Sequence, residues 1–368
     1  MALGKLQSWT LLAGFGLAAA IIVGCGGSGN GGGNGSGSTA GTTAGAGNFV
    51  QTNMVADTAA AGAAVVDPNL VNPWGVSFNP SGPFWVSDNG TGVSTLYNTA
   101  GQAQALVVQI PKAGGGNGGP VTGQVFNSTT DFAVGGSAAF FIFSSEDGII
   151  SAWNAGQGTQ AAMVADRSGS NAIYKGLAMG SSGGNNFLFA TDFHNGHVDV
   201  FDKNFAFVKS FTDPSLPAGF APFGIATIGA QLYVTLAKQD GQKEDDVAGP
   251  GNGYVDVFTT DGTFVKRLVS KGALNSPWGL AVAPAGFGAI GGDLLVGNFG
   301  DGKINVYNAT SGASVGAMKN ATGGSLVIDG LWGLIFGNGG SGGNVGTLYF
   351  TAGPGHEAHG LLGSLTAQ

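Results

Sequence analysis

One glycine recurs at the same place in six similar phrases, and this recurrence constrains the chain more than any other feature. The phrases are NPWGVSF, GPVTGQVF, IYKGLAM, APFGIAT, SPWGLAV and GLWGLIF, with glycines at Gly75, Gly123, Gly176, Gly224, Gly279 and Gly333. The intervals between them are 48, 53, 48, 55 and 54 residues. Self-similarity at a period of this length marks repeated copies of one supersecondary unit, none of which can bury its apolar face without neighbours.

Within each copy, short β-branched and aromatic runs alternate with clusters of Gly, Asn, Asp and Pro, the pattern of strands and turns. In the fifth copy GLAVAP, DLLVGN, KINVYN and GASVGAM read as four successive strands. Four short strands per copy predict an all-β chain, a six-bladed β-propeller with four-stranded blades. In the first copy PFWVSDNGTGVSTLYN is a hairpin of the second and third strands, its turn supplied by a glycine that tolerates positive φ. The sixth copy ends after TLYFTA and GLLGSL without a fourth strand, whereas FVQTNMVAD, residues 49–57, alternates like a strand but has no copy of its own. It is expected to close the ring as the outer strand of blade six, covering an edge that would otherwise invite aggregation.

Composition narrows the function classes. Of 368 residues, 43% are hydrophobic and 9% charged, so the chain has a core to bury and is no disordered polymer. Its 71 glycines lack the strict triplet period of collagen. A net charge of −8 leaves no basic field for a phosphate backbone, which argues against nucleic-acid binding.

The first 24 residues combine Lys5 with an apolar run, LLAGFGLAAAIIVG, and read as a signal peptide. Ile22-Val23-Gly24-Cys25 resembles the bacterial lipobox, which implies lipidation at Cys25, the chain's one cysteine. Residues 25–48 are then the lipidated cysteine and a Gly/Ser/Thr tether, and 49–368 the propeller. On this reading the protein is exported to the cell envelope, touches the membrane only through its lipid anchor, and meets an envelope protein or a small-molecule ligand there.

The pattern P-x-G-hydrophobic, L-Y-V-x-(D/N) and G-x-h-x-V-F resembles the NHL-type repeat of six-bladed propellers. DPNLVNPWGV, AKQD with KEDDVAG, GNGYVDVF, GLWGLIFGNG and LYFTAGP together resemble a family of exported bacterial propeller proteins. The resemblance implies the fold and export, and leaves the activity open.

In propellers of this kind, the loop leading into each first strand and the hairpin between the second and third strands open on one face, where ligands usually bind. That mapping gathers Trp74, Lys175, Phe223, Trp278 and Trp332 from the leading loops. The hairpins contribute Asp88, Asn89, Glu146, Asp147, Asp192, His194, Asn298, Asp301, His356, Glu357 and His359. Gluconolactonase-like and regucalcin-like propellers hold a divalent ion with Glu, Asn and Asp, so the resemblance makes Asp88, Glu146, Asp192 and Asn298 candidate ligands of Ca²⁺ or another divalent cation. The competing reading is that such residues cap their own turns. His194 and His197 in blade three, and His356 and His359 in blade six, offer a metal or acid–base site; the alternative is four separate turn residues, since the two blades face each other across the ring. The leading-loop aromatics are expected to wedge between blades. GFGAIG, residues 286–291, matches G-x-G-x-x-G but lies between two strands, so the dinucleotide reading fails.

Blade four carries an unusually long loop, KQDGQKEDDVAGPGNG, with Lys238, Asp240, Lys243, Glu244, Asp245 and Asp246. Long loops on an open face are often functional, and this is the first candidate for a site that sets function; the competing reading is a solvated excursion, since charge runs usually mark exposed faces. Without a nucleophile motif, the leading expectation is a non-catalytic binding propeller; the alternative is a divalent-metal-dependent lactonase or lyase using the same face.

Overall fold

Each phase glycine stands in the first strand of an antiparallel sheet. In the computed structural model, which describes residues 46–368, blade one comprises Pro73–Ser77, Phe84–Asp88, Val93–Tyr97 and Val108–Gln109. Blade two comprises Val121–Phe126, Phe141–Ser145, Ile149–Trp153 and Ala162–Asp166, and blade three Tyr174–Ser182, Asn185–Asp192, His197–Phe201 and Phe207–Phe211. Blade four runs Phe220–Ile228, Gln231–Lys238, Gly253–Thr259 and Phe264–Ser270; blade five Pro277–Val282, Leu294–Asn298, Ile304–Tyr307 and Ser314–Ala317.

The sixth sheet draws on both ends of the described chain. Leu331–Phe336, Leu348–Ala352 and Leu361–Ala367 are followed in space by Asn48–Ala56, with Phe49 opposite Ala367 and Ala56 opposite Leu361. The strand expected from FVQTNMVAD therefore completes the ring. Two short segments, Val65–Val66 and Lys319–Asn320, pair with its other edge and cover it. The fold is a six-bladed β-propeller. Its folded part reaches slightly further back than residue 49, because Ala46 is already buried in the same cluster as Phe49. The expected signal peptide, Cys25 and most of the 25–48 tether lie outside the described residues.

Packing follows the seams. Separate buried clusters join blades one and two around Trp85 and Phe141, two and three around Tyr174, three and four around Phe189, and four and five around Val257. Phe287 and Phe350 lie in the cluster between blades five and six, and Phe84 with Tyr349 in that between six and one. Ring pairs across these seams, such as Trp85 on Phe141 at 3.9 Å between centroids, fill the wedge between diverging sheets. GFGAIG contains a single 3₁₀ turn, Gly288–Ile290, whose last residue Ile290 and preceding residue Phe287 are core residues. No helix among the described residues is long and apolar enough to cross a membrane.

The phase glycine keeps adjacent first strands in contact. A Cβ on Gly75 would stand 2.6 Å from the carbonyl oxygen of Thr122, one on Gly279 would stand 2.5 Å from that of Trp332, and one on Gly333 would stand 2.8 Å from that of Trp74. Each of these carbonyls belongs to the residue before the next blade's glycine; Gly176 and Gly224 face Phe223 O and Trp278 O in the same way, whereas Gly123 meets the backbone of Gly176 and Leu177 instead.

Candidate functional site on the channel face

The leading-loop aromatics meet one another rather than separating blades. Trp332 lies between Trp74, at 3.6 Å and 18°, and Phe299, at 4.0 Å and 17°. Trp278 and Phe223 pack edge-on or tilted against Trp332, and all belong to one buried cluster drawn from five blades. The expectation of inter-blade wedges is corrected here: those seams are filled by other rings, and the leading-loop residues plug the centre. The reason is the tight glycine contact, which brings the residues preceding each glycine to the axis together. Trp332 donates its indole N–H to Asn72 Oδ1 at 3.0 Å, while the indole nitrogens of Trp74 and Trp278 are buried without partners.

Beside this plug sits a charged network. Lys175, with its side chain only 2% exposed, donates to Glu146 Oε1 at 2.5 Å and to Asp245 Oδ1 at 3.2 Å. Its ammonium also faces the rings of Trp74 at 5.2 Å and Phe193 at 5.8 Å. Asn89 donates to the second oxygen of Glu146 at 3.0 Å, and Asn72 donates to Asn89 Oδ1. Thus blades one to three and the long loop of blade four converge on a single cation.

Two further carboxyls crowd it. Burial, then the charge of Glu146, pushes Glu357 up to about 7, with Lys175 opposing and Asp245 and Asp246 reinforcing the shift. Burial also raises Asp246 to about 6, partly offset by the neighbouring Ser276 hydroxyl and Lys175; its Oδ2 is buried without a partner. Glu357 follows His356, and both adopt left-handed backbone, φ 66° and 57°. Four carboxyls therefore surround one lysine.

The long loop is fixed over this face by local bonds. Asp240 accepts from Glu244 N–H at 2.9 Å and donates its own N–H to Asp245 O, turning the chain at Lys243, whose φ is 61°. Gln239 donates to Phe193 O in blade three, and Gly249 N–H donates to Asn275 Oδ1 in blade five. Lys238 stays exposed at the loop's start. Glu244 reaches a notch of about 270 Å³ shared with His194 and Asp147; His194 Nδ1 has no partner.

The other expected residues are placed elsewhere. Asp88 is buried within blade one, where Thr95 donates to it at 2.7 Å, and burial raises its carboxyl well above the usual range. Asp192 accepts from the N–H groups of Ile173 and Asn195, and Asn298 accepts from Asn275 N–H while donating to Ala273 O and Asp301. Asp301 also pairs with Lys303 at 3.0 Å. These residues organise their own hairpins, as short polar side chains do. His359 pairs with Asp57 at 2.9 Å in blade six, whereas His197 lies 3.0 Å from Asp199 and 3.5 Å from Asp192 in blade three. Asp192, His197 and Asp199 present ligand-type atoms within 4.8 Å of one another. Hydrogen bonds that His197 donates to Asp192 and Asp199 raise it to about 9.

Sequence reasoning missed Asn72, Phe193, Phe299 and Asp199. Asn72 had a legible signal: it precedes the Pro-Trp-Gly of blade one, as Ser276 does in blade five, and both take positive φ, 47° and 46°. Asp199 and Asp256 occupy matching places in HVDVF and YVDVF, and both are buried acceptors, of His197 and Arg267 respectively.

No family model matches the sequence. The chain is 34% identical over 317 residues to "Uncharacterized protein L690" of Acanthamoeba polyphaga mimivirus, covering 82% of each, and 32% identical to "Uncharacterized protein R648" of the same virus, covering 82% of this chain and 76% of that one. These relatives are viral, whereas the motifs had pointed to bacterial proteins. Among solved structures, a streptogramin B lyase superposes with a TM-score of 0.53 at 12% identity, covering 87% of this chain and 98% of that one. A glucose dehydrogenase gives 0.53 at 12%, covering 87% and 100%. At such identities the likeness is one of fold. At the sequence level, the chain belongs to the same family as the two mimivirus proteins.

Proposed function

We propose that this propeller is a non-catalytic binding module whose channel face takes a cationic group of a small-molecule ligand or protein partner. One observation carries the reading: Glu146 and Asp245 both pair with a single buried Lys175, and Asp246 and Glu357 lie beside the same network, so four carboxyls face one ammonium; burial first, and the neighbouring carboxylates after it, raise Glu357 and Asp246. A cation entering this face gains what these groups lack. Titrating the protein calorimetrically with lysine- and arginine-containing tripeptides tests it. Saturable binding that weakens in Asp245→Asn/Glu357→Gln, with the melting temperature retained, is expected. If neither peptide binds, or the double variant binds equally well, the reading fails.

Attachment to a cell envelope through Cys25 belongs to the same proposal and rests on the Ile22–Cys25 motif. Acyl chains contribute about 0.8 kcal/mol per buried CH₂, so Cys25→Ser is expected to lose acyl label and leave the membrane fraction. Retention of the serine variant in membranes at normal yield would sink the lipoprotein assignment.

The second reading, a divalent-metal-dependent lactonase or lyase, is favoured by the converging oxygens and nitrogen of Asp192, His197 and Asp199. The ion would polarise a carbonyl and a neighbouring group would move a proton. Metal analysis with Ca²⁺ and Zn²⁺ thermal shifts tests it, because an ion that binds only the native state raises the melting temperature. No bound metal and no shift would remove it.

A further inference from the structure

We infer that the central channel is a second binding site, reached from the face opposite the carboxylate cluster, for a slender, uncharged and mainly apolar small molecule. The first strand of every blade begins at the leading-loop face and runs away from it, so the six inner strands form a tube. The tube encloses a cavity of about 400 Å³, within the 300–1,000 Å³ typical of small-molecule sites.

The lining is selective. At the position after the phase glycine stand Val76, Leu177, Ile225, Leu280 and Leu334 in five blades. Blade two has Gln124 at this position, but its amide is already engaged: Ser87 donates to Oε1 at 3.0 Å, and Nε2 donates to Trp85 O. None of the residues lining the cavity carries a charge. This contrasts with the channel face, where the carboxylates collect.

One end is closed. Trp278 lines the cavity and belongs to the stacked plug with Trp74 and Trp332, so a ligand cannot pass through to the charged network. At the other end Phe78, Phe126 and Ile335 stand half-buried around the mouth, packed against the seams between blades. The apolar side chains of this blind, uncharged tube, which also carries Ser77, Gln124 and Thr227, reward removal of apolar surface from water, at about 25 cal/mol per Å². An ionised group drawn inside would lose its hydration with no opposite charge to meet it. The inner edges of the strands present backbone N–H and C=O groups, which accommodate one or two uncharged hydrogen-bonding groups on the ligand. This inference is independent of the cation-binding reading, since the two sites lie on opposite sides of the plug.

The test uses the propeller with 1-octanol and octanoate as probes of equal chain length, one neutral and one charged. Calorimetry is expected to show saturable one-to-one binding of octanol with a negative heat-capacity change, and octanoate weaker by at least about tenfold. Val125→Phe, which enlarges a half-buried lining side chain, should lower octanol affinity at least about tenfold while the melting temperature is kept. If that variant misfolds, Ala226→Phe in the first strand of blade four serves instead. Asp245→Asn should leave octanol binding unchanged. Absence of saturable octanol binding, equal binding of octanoate, or undiminished binding to the channel-filled variant overturns the inference.

Discussion

Thr351 Oγ1 donates to the carbonyl oxygen of Trp74 at 2.6 Å while accepting the N–H of Gly333 at 2.8 Å, so one hydroxyl joins the last blade to the first. Thr191 does the same between blades three and four, taking the N–H of Gly176 and donating to Phe223 O. The phase glycine and a hydroxyl on the second strand thus act as a unit: the missing Cβ lets the strands approach, and the hydroxyl bonds the carbonyl that the approach delivers.

Gly333→Ala is expected to destabilise the fold by about 1–3 kcal/mol, because the new methyl meets Trp74 O, Thr351 Oγ1 and Val76 within 3.0 Å. Gly241→Ala in the long loop has nothing within 4 Å and serves as a control. Urea unfolding of both variants checks this; equal midpoints would refute the role of the glycine contact.

Burial decides which partner of Lys175 matters more. Asp245 is 76% exposed and Glu146 25%, against 2% for Lys175. Glu146→Gln leaves a buried ammonium with a largely solvated partner and is expected to cost about 3 kcal/mol. Asp245→Asn is expected to cost under about 1 kcal/mol. Thermal melts of the two variants should differ by several degrees, with Glu146→Gln the lower.

Glu357 gives a pH dependence of defined sign. Its carboxyl is raised in the fold from 4.5 to about 7, so the unfolded chain loses that proton first. Its contribution is most favourable below pH 4.5 and is lost as pH rises through 7. Glu357→Gln should match the parent's stability dependence at pH 4.5 and gain on it by on the order of 1 kcal/mol by pH 8. Melting curves across this window decide; a constant difference would exclude the raised carboxyl.

His197 titrates in a different window. It is raised from 6.5 to about 9 by the hydrogen bonds it donates to Asp192 and Asp199, and its stabilising contribution is complete below pH 6.5 and lost as pH passes 9. His197→Gln should be least stable relative to the parent near pH 6, by on the order of 1 kcal/mol, and approach it above pH 9. A difference that does not shrink with pH would show that His197 acts by packing alone.

The blade count, the strand-and-hairpin pattern and the closing strand near Phe49 were legible because they depend on local periodicity and one repeated glycine. The long loop stood out for the same reason, as a break in that pattern. What only the tertiary structure decided is which of these side chains meet. Asp245 reaches Lys175 across a separation of 70 positions, and Trp74 stacks on Trp332 across most of the chain. Such distances are set by ring closure and by the radius at which six inner strands touch, neither of which is written in any one repeat. Asp88 and Glu146 look alike as hairpin acids, yet one is turned onto Thr95 and the other toward a lysine from the next blade. A carboxylate goes to the nearest donor, and the donors around each hairpin come from whichever segment the fold has packed beside it.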